Sequence, residues 1–332
     1  MTTVYSNRFP IHPSVKTPDD AAWKQVRSGV DSLRGDMSAE LRARLDKAGA
    51  DKRITRDEYF SPGGAGLVGT PNNSIQGAMR EDVHLAGLRV GKVDTFDVTA
   101  LRAALADTSV SLDPAVRRDM TALVERHDDA LRRGEILTGT HVDKQGGIHE
   151  LTEGRINVDY DTFMARMNPL DWSPNLPRYR GGEVRELSRT QRPDGVLEVH
   201  QQERMSLDSF PSNLDMTKNS IVEIGEQGTK VSWHVFHSDP SALTLKTRSV
   251  MKDDGYIDFQ RTDDGKVLVR SHSVHQVRTP GTQLARFVLG QGLTNELTGQ
   301  AGLGGFFKEM VQRYRDIGEG RRAAVDTRRP IE

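Results

Sequence analysis

The sequence predicts an α+β fold: a helical N-terminal domain over residues 1–137, an antiparallel sheet domain over 138–318 closed by a C-terminal helix, and a basic tail over 319–332. Three observations predict it. Apolar residues recur every three or four positions up to about Leu137. Past Gly139 the period changes to two. From Thr282 the helical period returns, with Phe306, Phe307, Met310, Val311 and Tyr314 on one face.

The bulk properties agree with a folded chain of two domains, since 332 residues exceed what one core usually serves. A hydrophobic share of 35% against 28% charged, with a net charge of −1, gives no electrostatic case for nucleic acid or an anionic bilayer. Arg321, Arg322, Arg328 and Arg329 form the one basic cluster. The chain has no cysteine, which excludes disulfides and thiolate metal sites. Met1–Ser14 lacks the apolar run of a secretory signal, and no stretch reaches the roughly 20 apolar residues a membrane span needs. A cytoplasmic location is the resulting expectation.

In the N-terminal domain, Asp19 or Asp20 can cap a helix through Ala21, Trp23, Val26, Val30 and Leu33. Ser38–Lys47 carries Leu41 and Leu45 in helical register, Pro62–Asn73 reads as a loop, and helices follow near Val98–Leu105 and over Pro114–Arg133. In the second domain, a strand near Ile148–Val158 precedes short helices in Tyr160–Leu176. Strands then follow at Val196–Met205, Leu214–Ile224, Lys230–His237, Tyr256–Arg261 and Lys266–Val277, separated by turns such as Pro193–Gly195 and Asp263–Gly265.

The run from Leu45 to Phe60 resembles a degenerate EF-hand. On the twelve-residue calcium loop, Asp51 takes the fifth position, Ile54 the eighth and Glu58 the twelfth. Lys47 replaces the first acidic ligand, Gly49 stands at the third, and Lys52 replaces the turn glycine. A cation beside the metal opposes the summed carboxylate charge that binds calcium, so a structural helix–loop–helix is the favoured reading. Ala86–Asp97 is a weaker second copy.

The strand faces carry the functional argument, because the apolar face should point inward. On three strands that face turns polar toward one end: Gln201 and Glu203 follow Leu197 and Val199, His237 follows Val231, Trp233 and Val235, and Ser271, Ser273 and His275 follow Val267 and Val269. A buried polar group without a partner costs about 1–3 kcal/mol, so a solid core would not select these residues. A wet cavity or a hydrogen-bonded ligand removes that cost.

The order of long strand, short helices, antiparallel strands and terminal helix resembles the helix-grip superfamily of START-related lipid-binding proteins and polyketide cyclase/dehydrases. The resemblance rests on Arg155–Phe163 leading to Leu170–Trp172, on Lys230–His237, on Gly255–Phe259 and on the helix after Pro280. It implies an apolar pocket between sheet and terminal helix. Gly290, Gly292, Gly299, Gly302, Gly304 and Gly305 depart from a continuous helix and leave open whether one helix or two pieces cover that space.

The favoured expectation is therefore a binding module for an apolar small molecule, lipid or polyketide-like, with Trp172, Trp233, Phe259 and Phe287 as wall and Gln201, Ser271 and Ser273 at the polar end. Two readings stay open beside it. In a cyclase/hydrolase-type enzyme, Glu203, His237 and His275 act as acid–base groups. In an interaction scaffold, the N-terminal half docks a protein partner, the hints being Leu67–Val68 and an exposed Phe306–Phe307 pair. Nucleophile-elbow, metalloprotease and nucleotide-loop motifs are absent, and no metal or cofactor is expected.

Overall fold

The computed structural model describes residues 20–32, 37, 39–51, 83–85, 88–90, 102, 105–108, 114–142, 147–207, 214–236, 250–278 and 280–325. Helices α1 (Asp20–Ser32) and α2 (Ala39–Asp51) open the chain, followed by a two-stranded hairpin of β1 (Val83–Leu85) and β2 (Leu88–Val90) and by α3 (Pro114–Arg132). Strands β3 (Ile136–Val142) and β4 (Ile148–Ile156) come next, then α4 (Tyr160–Arg166) and a 3-10 helix at Pro169–Asp171. Six more strands follow: β5 (Tyr179–Gln191), β6 (Leu197–Leu207), β7 (Leu214–Ile224), β8 (Gly228–Phe236), β9 (Val250–Arg261) and β10 (Val267–Arg278). Helix α5 (Pro280–Leu297), a π-helical stretch (Thr298–Gly304) and α6 (Gly305–Gly318) complete it.

Strands β3 to β10 form one eight-stranded antiparallel sheet in the order β3-β4-β10-β9-β8-β7-β6-β5. Alternation places Val199, Val222, Val231, Ile257, Val269 and Ile156 on the inner face, all buried. The terminal helix α6 covers that face with Phe307, Met310, Val311, Tyr314 and Ile317. Its approach needs Gly154 on β4, where a Cβ would overlap Val311. The α+β architecture follows the sequence.

Two elements differ from expectation. Strand β3 begins at Ile136, inside the helical region expected up to about Leu137, and β5 fills Tyr179–Gln191, where no strand was expected. β5 is an edge strand with both faces largely exposed, so it carries no apolar alternation for a sequence to display.

The terminal helix comes in pieces. Gly290 has φ 77° and ψ 173° inside α5, a conformation open to glycine, and the π-helical stretch separates α5 from α6. The pieces face different partners. Val288, Leu289, Leu293, Leu297 and Ala301 pack with Val26, Val30, Leu41, Leu45 and Ala48 of α1 and α2, while α6 lies on the inner face of the sheet, led onto it by Gly299 and Gly304 of the π-helical stretch against Thr140 and Thr138. Arg44 of α2 pairs with Glu296 of α5 at 2.7 Å.

The calcium-loop resemblance meets a helix. α2 continues to Asp51, so Lys47, Gly49 and Asp51 occupy helical backbone rather than the turn that presents ligands. Within the expected second copy, Leu88–Val90 is strand. The rest of both segments, the Pro62–Asn73 loop with Leu67–Val68, most of Val98–Leu105, and Arg328 and Arg329 lie outside the described residues.

Candidate functional site

Strand register turns the inner face into rows that run across the sheet. One row is apolar but for its first member: Ser271, Ile257, Val231, Val222 and Val199 succeed one another from β10 to β6. The next is mostly polar: Glu150, Ser273, Gly255, Trp233, Ser220 and Gln201. Beyond it lie His275 opposite Asp253, and Lys218 opposite Glu203. These side chains are buried. The polar end read from alternation is thus a continuous band, and Glu150, Asp253 and Lys218 belong to it although the sequence reading did not single them out.

The band divides into two hydrogen-bonded groups. In the first, Glu203 accepts from Trp172 Nε1 at 3.0 Å, from Ser220 Oγ at 2.6 Å and from Ser173 Oγ, and pairs with Lys218 Nζ at 3.4 Å. Lys218 Nζ also stands 3.6 Å from the centre of the Trp172 ring. Burial pulls the Lys218 pKa below the ordinary lysine value, against the attraction of Glu203 and Asp253.

The second group centres on Glu150 and His275. Glu150 bonds Thr152 Oγ1 and faces Ser273 Oγ at 3.2 Å and Ser271 Oγ at 3.4 Å. Burial pushes its pKa well above the ordinary carboxylate value. Ser273 Oγ lies 2.6 Å from His275 Nε2, and Asp253 Oδ1 lies 3.5 Å from His275 Nδ1. Asp253 accepts from Trp233 Nε1 at 2.8 Å. Burial lowers the His275 pKa, which keeps the imidazole neutral near pH 7. Aromatic rings join the groups: Trp172 stacks on Trp233 with centroids 5.1 Å apart, and His275 lies 5.7 Å from Phe307.

Among the buried side-chain atoms that lack a hydrogen-bond partner within the described residues, two belong to this band: Gln201 Oε1 and His275 Nδ1. Gln201 uses its amide N–H on the Leu170 carbonyl at 3.2 Å. The segment 171–177 over this end of the sheet is itself buried. Tyr314 Oη donates to the Trp172 carbonyl at 3.3 Å, and Asn175 pairs with both main-chain groups of Val325 at 2.8 and 3.1 Å.

The expected site residues are distributed as follows. Trp172, Gln201, Glu203, Trp233, Phe259, Ser271, Ser273 and His275 are buried on or against the inner face. Phe259 lies deeper, packed on Phe163 and Tyr314 at 5.4 Å from each. Phe287 is a correction: it is 38% exposed on α5, because α5 turns its buried side to α1 and α2 instead of the sheet. The exposed Phe306–Phe307 pair is a second correction, since Phe307 is buried in the core and Phe306 packs against it. His237 lies outside the described residues. Glu203 and His275 sit on β6 and β10, four strand spacings or roughly 19 Å apart along the sheet.

An antiparallel sheet whose inner face is held by a C-terminal helix, with short helical turns over one end, is now in view. It is a helix grip. Among solved structures, the chain is similar to a STAR-related lipid transfer protein fragment from Xanthomonas axonopodis, at 16% identity and a TM-score of 0.36, covering 54% of this chain and 93% of that one. It is also similar to human StAR-related lipid transfer protein 5, at 11% identity and a TM-score of 0.37, covering 63% and 97%. A third likeness is the Zhui aromatase/cyclase from a Streptomyces species, at 10% identity and a TM-score of 0.32, covering 53% and 93%. No family model and no curated protein matches the chain. Among the described residues, no helix of the grip or of the N-terminal part is long and apolar enough to cross a membrane.

Proposed function

We propose that the helix grip binds a small molecule with an apolar body and at least one polar group, held between the sheet and α6. One observation carries this reading: Gln201 Oε1 and His275 Nδ1 are buried on the inner face without a hydrogen-bond partner among the described residues. Two such vacancies in an otherwise saturated band cost about 1–3 kcal/mol each, and a ligand group that donates to Gln201 removes one of them. The apolar rows beside the band and the Trp172–Trp233 stack supply the surface for a hydrocarbon or aromatic body.

The acid–base reading built on Glu203 is less well supported. Its carboxylate already takes three hydrogen bonds and an ion pair from the protein itself, which leaves its oxygens little room to contact a substrate.

The test is native mass spectrometry of the purified chain, together with titration of a dansyl-labelled fatty acid. A retained small molecule, or saturable one-to-one binding of the dye-labelled acid, is the expected result. Gln201→Leu weakens dye binding about tenfold if its oxygen meets the ligand. A chain that carries nothing and leaves the dye spectrum unchanged overturns the proposal.

A further inference from the structure

We propose that Ser273, His275 and Asp253 form a nucleophile, a base and an orienting carboxylate able to cleave a carboxylic ester on an apolar ligand. The inference rests on the inner face being a ligand site and adds a reaction to it. Ser273 and His275 alternate on β10, so both side chains point inward, and Oγ lies 2.6 Å from Nε2. Asp253 is the register partner of His275 on β9. Its Oδ1 is 3.5 Å from Nδ1, long for a hydrogen bond and within the small adjustment by which such contacts tighten around a ligand. The Trp233 indole holds Asp253 from the other side at 2.8 Å.

The neighbours suit that role. Glu150 Oε2 accepts from Ser273 Oγ at 3.2 Å, and burial raises the pKa of this carboxyl well above the ordinary value, which disfavours a negative charge beside an oxyanion forming there. The single Ser273 hydroxyl hydrogen has two acceptors in reach, and the shorter contact, 2.6 Å to Nε2 against 3.2 Å to Glu150 Oε2, directs it to His275, whose Nδ1 faces Asp253. Gly255 lies opposite Ser273, where a Cβ would come within 2.6 Å of the Ser273 Cβ and 2.7 Å of the Trp233 ring. The backbone there approaches as closely as the serine permits.

The step balances with water as co-reactant. Ser273 Oγ bonds to the ester carbonyl carbon while its proton passes to His275 Nε2. The carbon–alkoxide bond then breaks and the alkoxide leaves as the alcohol with that proton. Water, deprotonated by the same nitrogen, releases the carboxylic acid and restores the Ser273 hydroxyl. Ser273 has no solvent-exposed surface, so an ester reaches it only through the interior assigned to the ligand.

The test uses the full chain and an alkyl fluorophosphonate, with the modified residue located by peptide mass spectrometry. One-to-one labelling of Ser273 is expected, absent in Ser273→Ala and slowed at least a hundredfold in His275→Gln. In Asp253→Asn, labelling slows by on the order of 10³–10⁴-fold, as when the orienting carboxylate of a triad is lost. The pH at which the labelling rate rises also moves down in that variant, which a purely structural role for Asp253 would not cause. Dansyl fatty acid binding by each variant confirms that the interior is intact. Dye binding without Ser273 labelling, or labelling indifferent to His275, overturns the esterase inference and leaves the binding site standing. Loss of dye binding in the native chain removes both.

Discussion

Lys218 shows how much a single side chain can hide. The two-residue alternation that puts Met216, Ser220 and Val222 inside also puts Lys218 there, between Met216 and Ser220. A lysine on an inner face is easily passed over, because its charge is costly to bury without a partner. Glu203, directly across on β6, supplies that partner, and Trp172 supplies a ring face. Lys218→Met leaves the buried Glu203 with only neutral donors, and the expected loss of stability is about 3–5 kcal/mol in urea unfolding. Adding Glu203→Gln to that variant restores part of the loss, a coupling that a double-mutant cycle measures directly. Gln201, His275, Ser271 and Ser273 were legible in the same alternation. Asp253 was not, because the strand was expected to start at Tyr256 while β9 begins at Val250.

At the scale of elements, α3 is fastened to the outer side of the sheet by charge. His127 Nε2 lies 2.6 Å from Glu153 Oε2, Glu153 also pairs with Arg270 of β10, and Asp128 pairs with Arg102 and lies near His127 Nδ1. Burial alone would lower the His127 pKa, but the hydrogen bonds to Asp128 and Glu153 outweigh it and leave the value raised. Burial likewise opposes ionisation of Glu153, yet His127 and Arg270 lower its pKa to about 2. The signs follow by linkage. The His127 contribution is complete below its unfolded value near 6.5 and disappears as pH rises through the higher folded value. The Glu153 contribution is complete above 4.5 and disappears as pH falls toward about 2, a loss on the order of 3 kcal/mol. Stability measured against pH should therefore fall on both limbs. His127→Gln should flatten the alkaline limb and Glu153→Gln the acid one; unchanged limbs would mean that the pair does not hold α3.

The whole molecule is tied together through the broken terminal helix. α6 grips the sheet while α5 packs with α1 and α2, so the N-terminal helices brace the element that leads into the grip. Leu41→Ala removes a fully buried side chain from that junction, with an expected cost of about 2–5 kcal/mol. Hydrogen exchange should quicken in α5 as well as in α1 and α2; a change confined to α2 would show that α5 stands without them. By itself the sequence determined the α+β class, the inward faces of β6, β8 and β10, the polar end of the β6 and β10 faces and the glycine break in the terminal helix, because each is written in local periodicity. Only the tertiary structure decided which row meets which. Cross-strand register brought Asp253 to His275 and Lys218 to Glu203, set Glu203 and His275 on distant strands, and turned Phe287 to solvent. Those outcomes depend on pairing between segments far apart in the chain, and a local pattern carries no record of its partner.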